Sequence, residues 1–320
     1  MLQTLWKGSA PLTAAGLLMI AVLAAAVIGL AIDPRIVTGA PVWLKPAKFA
    51  ASIAIYTLTL AWIFSLIPAW TRTCRIVGWT TAVTLVLEMV IIGLQAFRGT
   101  TSHFNVATLV DGILFGVMGA AIVVQTLSTV AVAVALWRHQ LPDRALGWAL
   151  RLGMTITIVG AMSGGLMTQP TRQQLDAAQA GQRMVIAGAH TVGAPDGGPG
   201  LPGTGWSTGH GDLRVPHFLG LHALQLLPLV AIVLARRKVR DPQRVRFTIV
   251  AAASYVVLFG ILLSQALRGQ SVMAPDRLTL TLLALWGITT TAAAAVAALR
   301  LQPARRPAAI CGSDQATADR

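Results

Sequence analysis

The chain has 320 residues, 55% hydrophobic and only 11% charged, with a mean hydropathy of +0.69. A soluble domain of this length needs far more polar surface, so the water-soluble classes are excluded and lipid must be the solvent for much of the chain. The net charge of +14 lacks the aromatic–basic interleaving of an RNA-binding surface, and its basic residues gather in short loops between apolar runs, which argues for membrane topology rather than nucleic acid.

Eight stretches reach the roughly 20 apolar residues that a helix needs to cross a bilayer. They lie near 12–32, 48–68, 76–97, 108–136, 146–168, 215–235, 247–267 and 278–299. The first is long for a signal peptide and has only Lys7 as a basic flank, so it is read as a helix. The expected fold class is all-α: a polytopic transmembrane helix bundle of about eight helices over residues 1–302. Residues 303–320 are expected to form a disordered cytoplasmic tail. The basic cluster Arg236, Arg237, Lys238, Arg240, Arg244 and Arg246 dominates the Lys and Arg bias between alternate loops. It orients the chain in a cell (inner) membrane with both termini cytoplasmic. Cys74 and Cys311 then lie on the reducing side and form no metal spacing.

The one long loop, 169–214, falls on the extracytoplasmic side. TRQQLDAAQAGQR within it suits a short surface helix, whereas the Gly- and Pro-rich 188–211 cannot be regular helix. A loop of this length is more often functional than accidental, and the second part is expected to fold over the bundle as a lid. It contains a G-x-G-x-x-G at Gly198–Gly203 and a G-x-S-x-G around Ser207. Neither has the strand–turn–helix context its chemistry requires, so both are set aside.

An internal repeat is suggested at an offset of 170 residues. Gln95–Gly99 reads QAFRG, Gln265–Gly269 reads QALRG, and Pro46 maps onto Pro216. This implies two parallel four-helix halves.

The candidate site residues are few. Glu88, the only glutamate, falls inside the third span, on one helical face with Thr81, Thr84 and Gln95. An ionisable group in hydrocarbon marks function unless it serves only as an interhelical clamp. His103, His190, His210, His217 and His222 fall on the outer side, and only His139 lies inside. His217 and His222 are spaced by five and should not share a metal on a straight helix. Counting rise per residue puts Glu88 and His222 at similar depth, which makes them the expected imidazole–carboxylate pair. Arg98, Arg214 and Arg268 sit at the outer mouth, placed to clamp carboxylates or phosphates such as haem propionates, or to snorkel to the interface.

The segments WLKPAKF (43–49), RGTTSHFN (98–105), GAHTVGAPDGGPGLP (188–202) and DLRVPHFLGLHALQ (212–225) resemble those of a group of uncharacterised bacterial polytopic membrane proteins. The resemblance implies an eight-helix membrane fold and no particular activity. Alkaline ceramidase-like membrane hydrolases carry a His-x-x-x-His pair in the last helix. Here the pair, His217 and His222, is one residue too far apart and in the sixth span.

Four readings stay open. One is a haem- or redox-cofactor-binding protein with His103, His217 and His222 as ligand candidates and Arg98 and Arg268 above them. The second is an enzyme using a divalent metal on His190 and His222 with Glu88 as general base. The third is a proton-coupled transporter built on Glu88 and the repeat. The last is a structural protein of the lipid bilayer.

Overall fold

The computed structural model describes residues 2–299, and the expected tail at 303–320 lies outside them, as does Cys311. In chain order the helices are α1 (Leu2–Gly8), α2 (Ala10–Ile32), α3 (Leu44–Leu66), α4 (Thr71–Phe97), α5 (Leu109–Arg138), α6 (Arg144–Ser163), α7 (Arg172–Gln179), α8 (Arg214–Leu221), α9 (Ala223–Arg236), α10 (Asp241–Leu267) and α11 (Arg277–Ala298). Sheet is limited to two short antiparallel pairs, β1 (Ile36–Val37) with β2 (Ala40–Pro41), and β3 (Thr191–Val192) with β4 (Gly211–Asp212). The architecture is an all-α bundle. Among the described residues seven helices are long and apolar enough to cross a membrane, and the pair α8–α9, bent by 46°, makes an eighth if it is one span. The bundle's outer surface is apolar: Ile28, Leu127, Ile288 and Val296 are all exposed. Such a surface suits lipid, where only the backbone bonds internal to a helix satisfy every N–H and C=O.

The expected short surface helix is α7, closed by a capping box between Thr171 and Gln174. Pro46 and Pro216 lie in the first turns of α3 and α8 rather than before them, where a missing N–H removes no helical bond.

The two halves repeat one plan. In α2–α5 the second helix packs on the first, the third on both, and the fourth on the third; α6, α8–α9, α10 and α11 do the same. Helix α3 and the α8–α9 pair each run from a start to an end 170 residues apart, as do α4 and α10. The repeated QA-x-RG segments close α4 and α10 identically. Gly99 (φ 71°) and Gly269 (φ 73°) take the left-handed conformation. Their N–H groups donate to Ala96 and Ala266, and the following N–H groups donate to Gln95 and Gln265, as in a Schellman cap. Gln95 Nε2 donates to Thr101 O and Gln265 Nε2 to Ser271 O, pulling the next loop back over the helix end. Arg98 and Arg268 then each bind the carboxylate of an acid opening the next helix, Asp111 and Asp276, at 2.7 Å.

The halves differ at the sixth span, which is broken at His222 where α3 runs straight. The Thr157 hydroxyl of α6 enters the break, donating to Leu221 O and accepting from Leu224 N, each at 3.2 Å. Tyr255 of α10 donates to Leu219 O. A side chain inserted into the i→i−4 ladder accounts for the bend. The close approach needs Gly160, where an added Cβ would lie 2.5 Å from the Gly220 carbonyl carbon.

Candidate functional site

At the end of the bundle where α3, α5, α8 and α11 begin, a cavity of about 1710 Å³ opens beneath the long loop. The loop folds back over the bundle, as the sequence suggested. β3 pairs with β4, Gly200 bridges Ser207, and residues 185–187 pair with the segment at Phe104–Val106. Its glycines are required by contact with the helices: a Cβ on Gly211 would sit 2.1 Å from Ala266 O, and one on Gly188 (φ 119°) 2.4 Å from Met167 O.

Between α4 and α5 the chain turns inward. Asn105 Nδ2 donates to Thr100 Oγ1 and Thr101 O, Ser102 and Phe104 are buried, and Phe104 adopts a positive φ of 64°. Such a backbone conformation in a bulky residue persists only where its surroundings hold it. The effect is to lower His103 into the mouth of the first half, between Lys45 and Glu88. Lys45 Nζ lies 3.0 Å from His103 Nδ1, and His103 Nε2 lies 3.8 Å from Glu88 Oε1. Ammonium can only donate, so Nδ1 accepts and Nε2 carries the proton, aimed at the carboxylate. Phe49 and Phe104 flank the ring. Burial, with Lys45 and then His190 and His217 nearby, holds the His103 imidazole well below its ordinary range, so the ring is neutral at neutral pH.

Glu88 is buried on α4, and one turn below it Thr84 bonds Gln125. Gln125 in turn contacts Tyr56 and Thr129, and Tyr56 bonds Thr129. Polar side chains therefore continue into the first half until the apolar cluster of Leu60, Phe64, Val132 and Leu136 closes the path. Above, on the loop, His190 Nδ1 lies 2.6 Å from Asp196 Oδ2, and Asp196 also accepts from the N–H groups of His190 and Thr191. Burial pushes the Asp196 carboxyl up, but these donors outweigh it and hold the group below the usual carboxylate range. Burial lowers His190 more than Asp196 raises it, leaving a neutral imidazole oriented by a carboxylate.

The other candidates are placed elsewhere. The expected partner of Glu88, His222, stands at the break of the sixth span, and its side chain makes no hydrogen bond among the described residues. The imidazole brought to Glu88 is His103. Depth along two separate helices could not register a loop that re-enters the bundle. His217 donates from Nδ1 to Gly160 O at 2.8 Å and packs on Gly164, outside the cavity wall. Arg98 and Arg268 also lie off the cavity wall, each bound to its acid, so neither is free to clamp a haem propionate. Among the described residues no three of His, Cys, Asp and Glu are grouped so as to hold a metal ion, which leaves His190 and His222 without a shared ligand set. Sequence reasoning overlooked Lys45 and Lys48 as site residues. Their signal was two lysines in the first five residues of an apolar helix, against the preference of a helix N-terminus for acids.

Comparison with protein-family models, curated proteins and solved structures finds no match.

Proposed function

We propose that this chain is a proton-coupled transporter of a cell membrane, taking protons and a solute from an extracytoplasmic vestibule. The observation that carries the reading is the Lys45–His103–Glu88 chain, which leads from the cavity wall to a carboxylate buried among spanning helices. An intramembrane acid with a histidine between it and water is the usual construction of a proton relay. The step conserves protons: Lys45 passes one to His103 Nδ1, and Nε2 releases its own to Glu88. Lys45 and Glu88 are both left neutral and His103 is left in the other tautomer. Before a second transfer Glu88 gives its proton up inward, Lys45 takes one from the vestibule, and His103 loses its Nδ1 proton to vestibule water and regains one at Nε2. The construction in two parallel halves suits a fold that rocks about a central axis. The basic cluster at 236–246 supports a cytoplasmic far end. The chain is further proposed to belong with the bacterial group it resembles, because all four shared segments meet at the vestibule. They contribute Lys45 and Lys48, His103, His190 with Asp196, and Arg214.

The test is proton uptake into liposomes holding a trapped pH-sensitive dye, with small organic acids and phosphate esters supplied outside. Uptake should be fast in the native protein and lost in Glu88→Gln and His103→Gln. Equal uptake in all three would sink the reading.

A further inference from the structure

The vestibule holds more cation than its acids answer. Lys45, Lys48 and Arg214 all line it. Arg214 is matched by Asp212, through Nε at 2.9 Å and a terminal nitrogen at 2.6 Å, and also donates to Gly205 O. Asp196, the one acid on the cavity wall among the described residues, is taken by His190. Lys48 donates only to a carbonyl, Thr204 O at 2.5 Å, and Lys45 only to His103. Neither lysine pairs with a carboxylate within salt-bridge distance among the described residues. Two of the three ammonium protons on each therefore remain unassigned at the edge of a low-dielectric bundle, where an unanswered charge is expensive.

A second feature points the same way. Lys45 lies in the first turn of α3 and Lys48 just past it, and Arg214 opens α8, the equivalent helix of the other half. The N-terminus of α8 is answered by Asp212, whose carboxylate accepts from Arg214 N–H at 3.0 Å, whereas α3 has neither an acidic residue in its first turn nor a side-chain cap, so its positive end adds to the lysines. Basic side chains at a helix N-terminus are unfavourable unless an anion sits with them. Arg172 and Arg183 also lie on the wall, and Ile92, Phe49, Leu201, Phe218 and Leu267 give it an apolar part.

We infer that the vestibule binds an amphiphilic anion, its phosphate or carboxylate headgroup held by Lys45, Lys48 and Arg214 beside the N-terminus of α3 and its body against the apolar part of the wall. This rests on the transporter reading for its role as the solute, and the site itself is testable apart from that role. The headgroup chemistry is shared by soluble organic anions and by acidic lipids.

The test uses the full chain in phosphatidylcholine nanodiscs, with calorimetric titration of octyl phosphate corrected against empty discs. Binding is expected in the native protein, weakened about tenfold or more in Lys48→Ala, where a charge-assisted bond is lost, and restored in Lys48→Arg. Octanol, of the same body without the charge, should not bind measurably. If octanol matches octyl phosphate, or Lys48→Ala binds as well as the native protein, the assignment falls. Discs containing phosphatidylglycerol separate the sources: competition with octyl phosphate assigns the site to a lipid headgroup, and undiminished binding assigns it to a soluble anion. Proton uptake by Glu88→Gln reports separately on the transporter reading. Anion binding that fails while that variant still loses uptake removes this inference alone, and the converse removes only the transporter.

Discussion

Helices α4 and α10 end in the same Gln-Ala-x-Arg-Gly cap, yet position 88 of the first is a buried glutamate and its counterpart 170 residues on is Leu258. The same offset takes Lys45 to Val215 and His103 to Met273. Polar contacts that join helices are kept in both halves: Thr84 meets Gln125 of α5, and at the matching place Ser254 accepts from Trp286 and Thr290 of α11. What repeats is thus the chemistry of helix ends and helix seams, and what does not repeat is the titratable chain. The second half places its own irregularity elsewhere, in the break at His222. A duplicated scaffold thus carries its contacts between helices in both halves and the Lys45–His103–Glu88 chain in one.

The largest expected effect tests that separation directly. Glu88→Gln should lower proton uptake at least about 100-fold, the scale of removing a proton-transfer group, whereas Leu258→Met should leave it within about twofold. Comparable losses at both positions, read in the same dye-loaded liposomes, would erase the asymmetry.

Next come the matched clamps, whose environments differ. Asp111 has 5% of its side chain exposed and Asp276 37%. Arg98→Ala leaves a buried carboxylate with only Gln95 and Thr108 as side-chain donors and should cost about 2–3 kcal/mol. Arg268→Ala, freeing a more solvated acid, should cost about 1 kcal/mol or less. Denaturant titration in detergent would show whether the order holds.

The break supplies a smaller contrast. Thr157→Val leaves Leu221 O and Leu224 N without their bridge and should cost about 1–2 kcal/mol. Thr57→Val in α3 removes only a hydroxyl bonded to its own helix, at Ile53 O, and should cost less than about 1 kcal/mol. Equal losses in thermal unfolding would mean that the hydroxyl does not hold the bend.

The mildest effect is on pH. The fold lowers both His103 and His190. The unfolded chain therefore binds more protons than the folded one below the ordinary imidazole pKa of about 6.5. Stability is present above that pH and is lost on acidification, by up to about 1.4 kcal/mol per pH unit for each group. The unfolding midpoint should fall between about pH 7.5 and 5.5, and less steeply in His103→Gln. An unchanged slope in that variant would show that His103 is not buried neutral.

The seven long apolar helices, α7 and the irregular 188–211 segment are legible in the order of residues alone, as are the paired helix ends. Local signals carry each: run length, the Thr171–Gln174 spacing, glycine and proline density, and the QA-x-RG repeat. Glu88 stands out because a lone acid in an apolar run is visible in one dimension. Its partner does not. His222 lies on a helix and can be ranked by rise per residue, whereas His103 lies in a loop whose depth depends on bonds from Gln95 and Asn105. Arg98 and Arg268 are visible as mouth arginines, but the acids that occupy them lie 13 and 8 residues further along the chain.

By itself the order of apolar and polar residues determined that this chain forms helices long enough to span a bilayer, because hydrocarbon leaves a backbone no other way to satisfy its polar groups. Tertiary structure alone decided which imidazole reaches the buried carboxylate, which acids the mouth arginines bind, and that two lysines and Arg214 converge on one vestibule. Each of those depends on where loops fold back between helices, and that is settled by contacts among residues far apart in the chain.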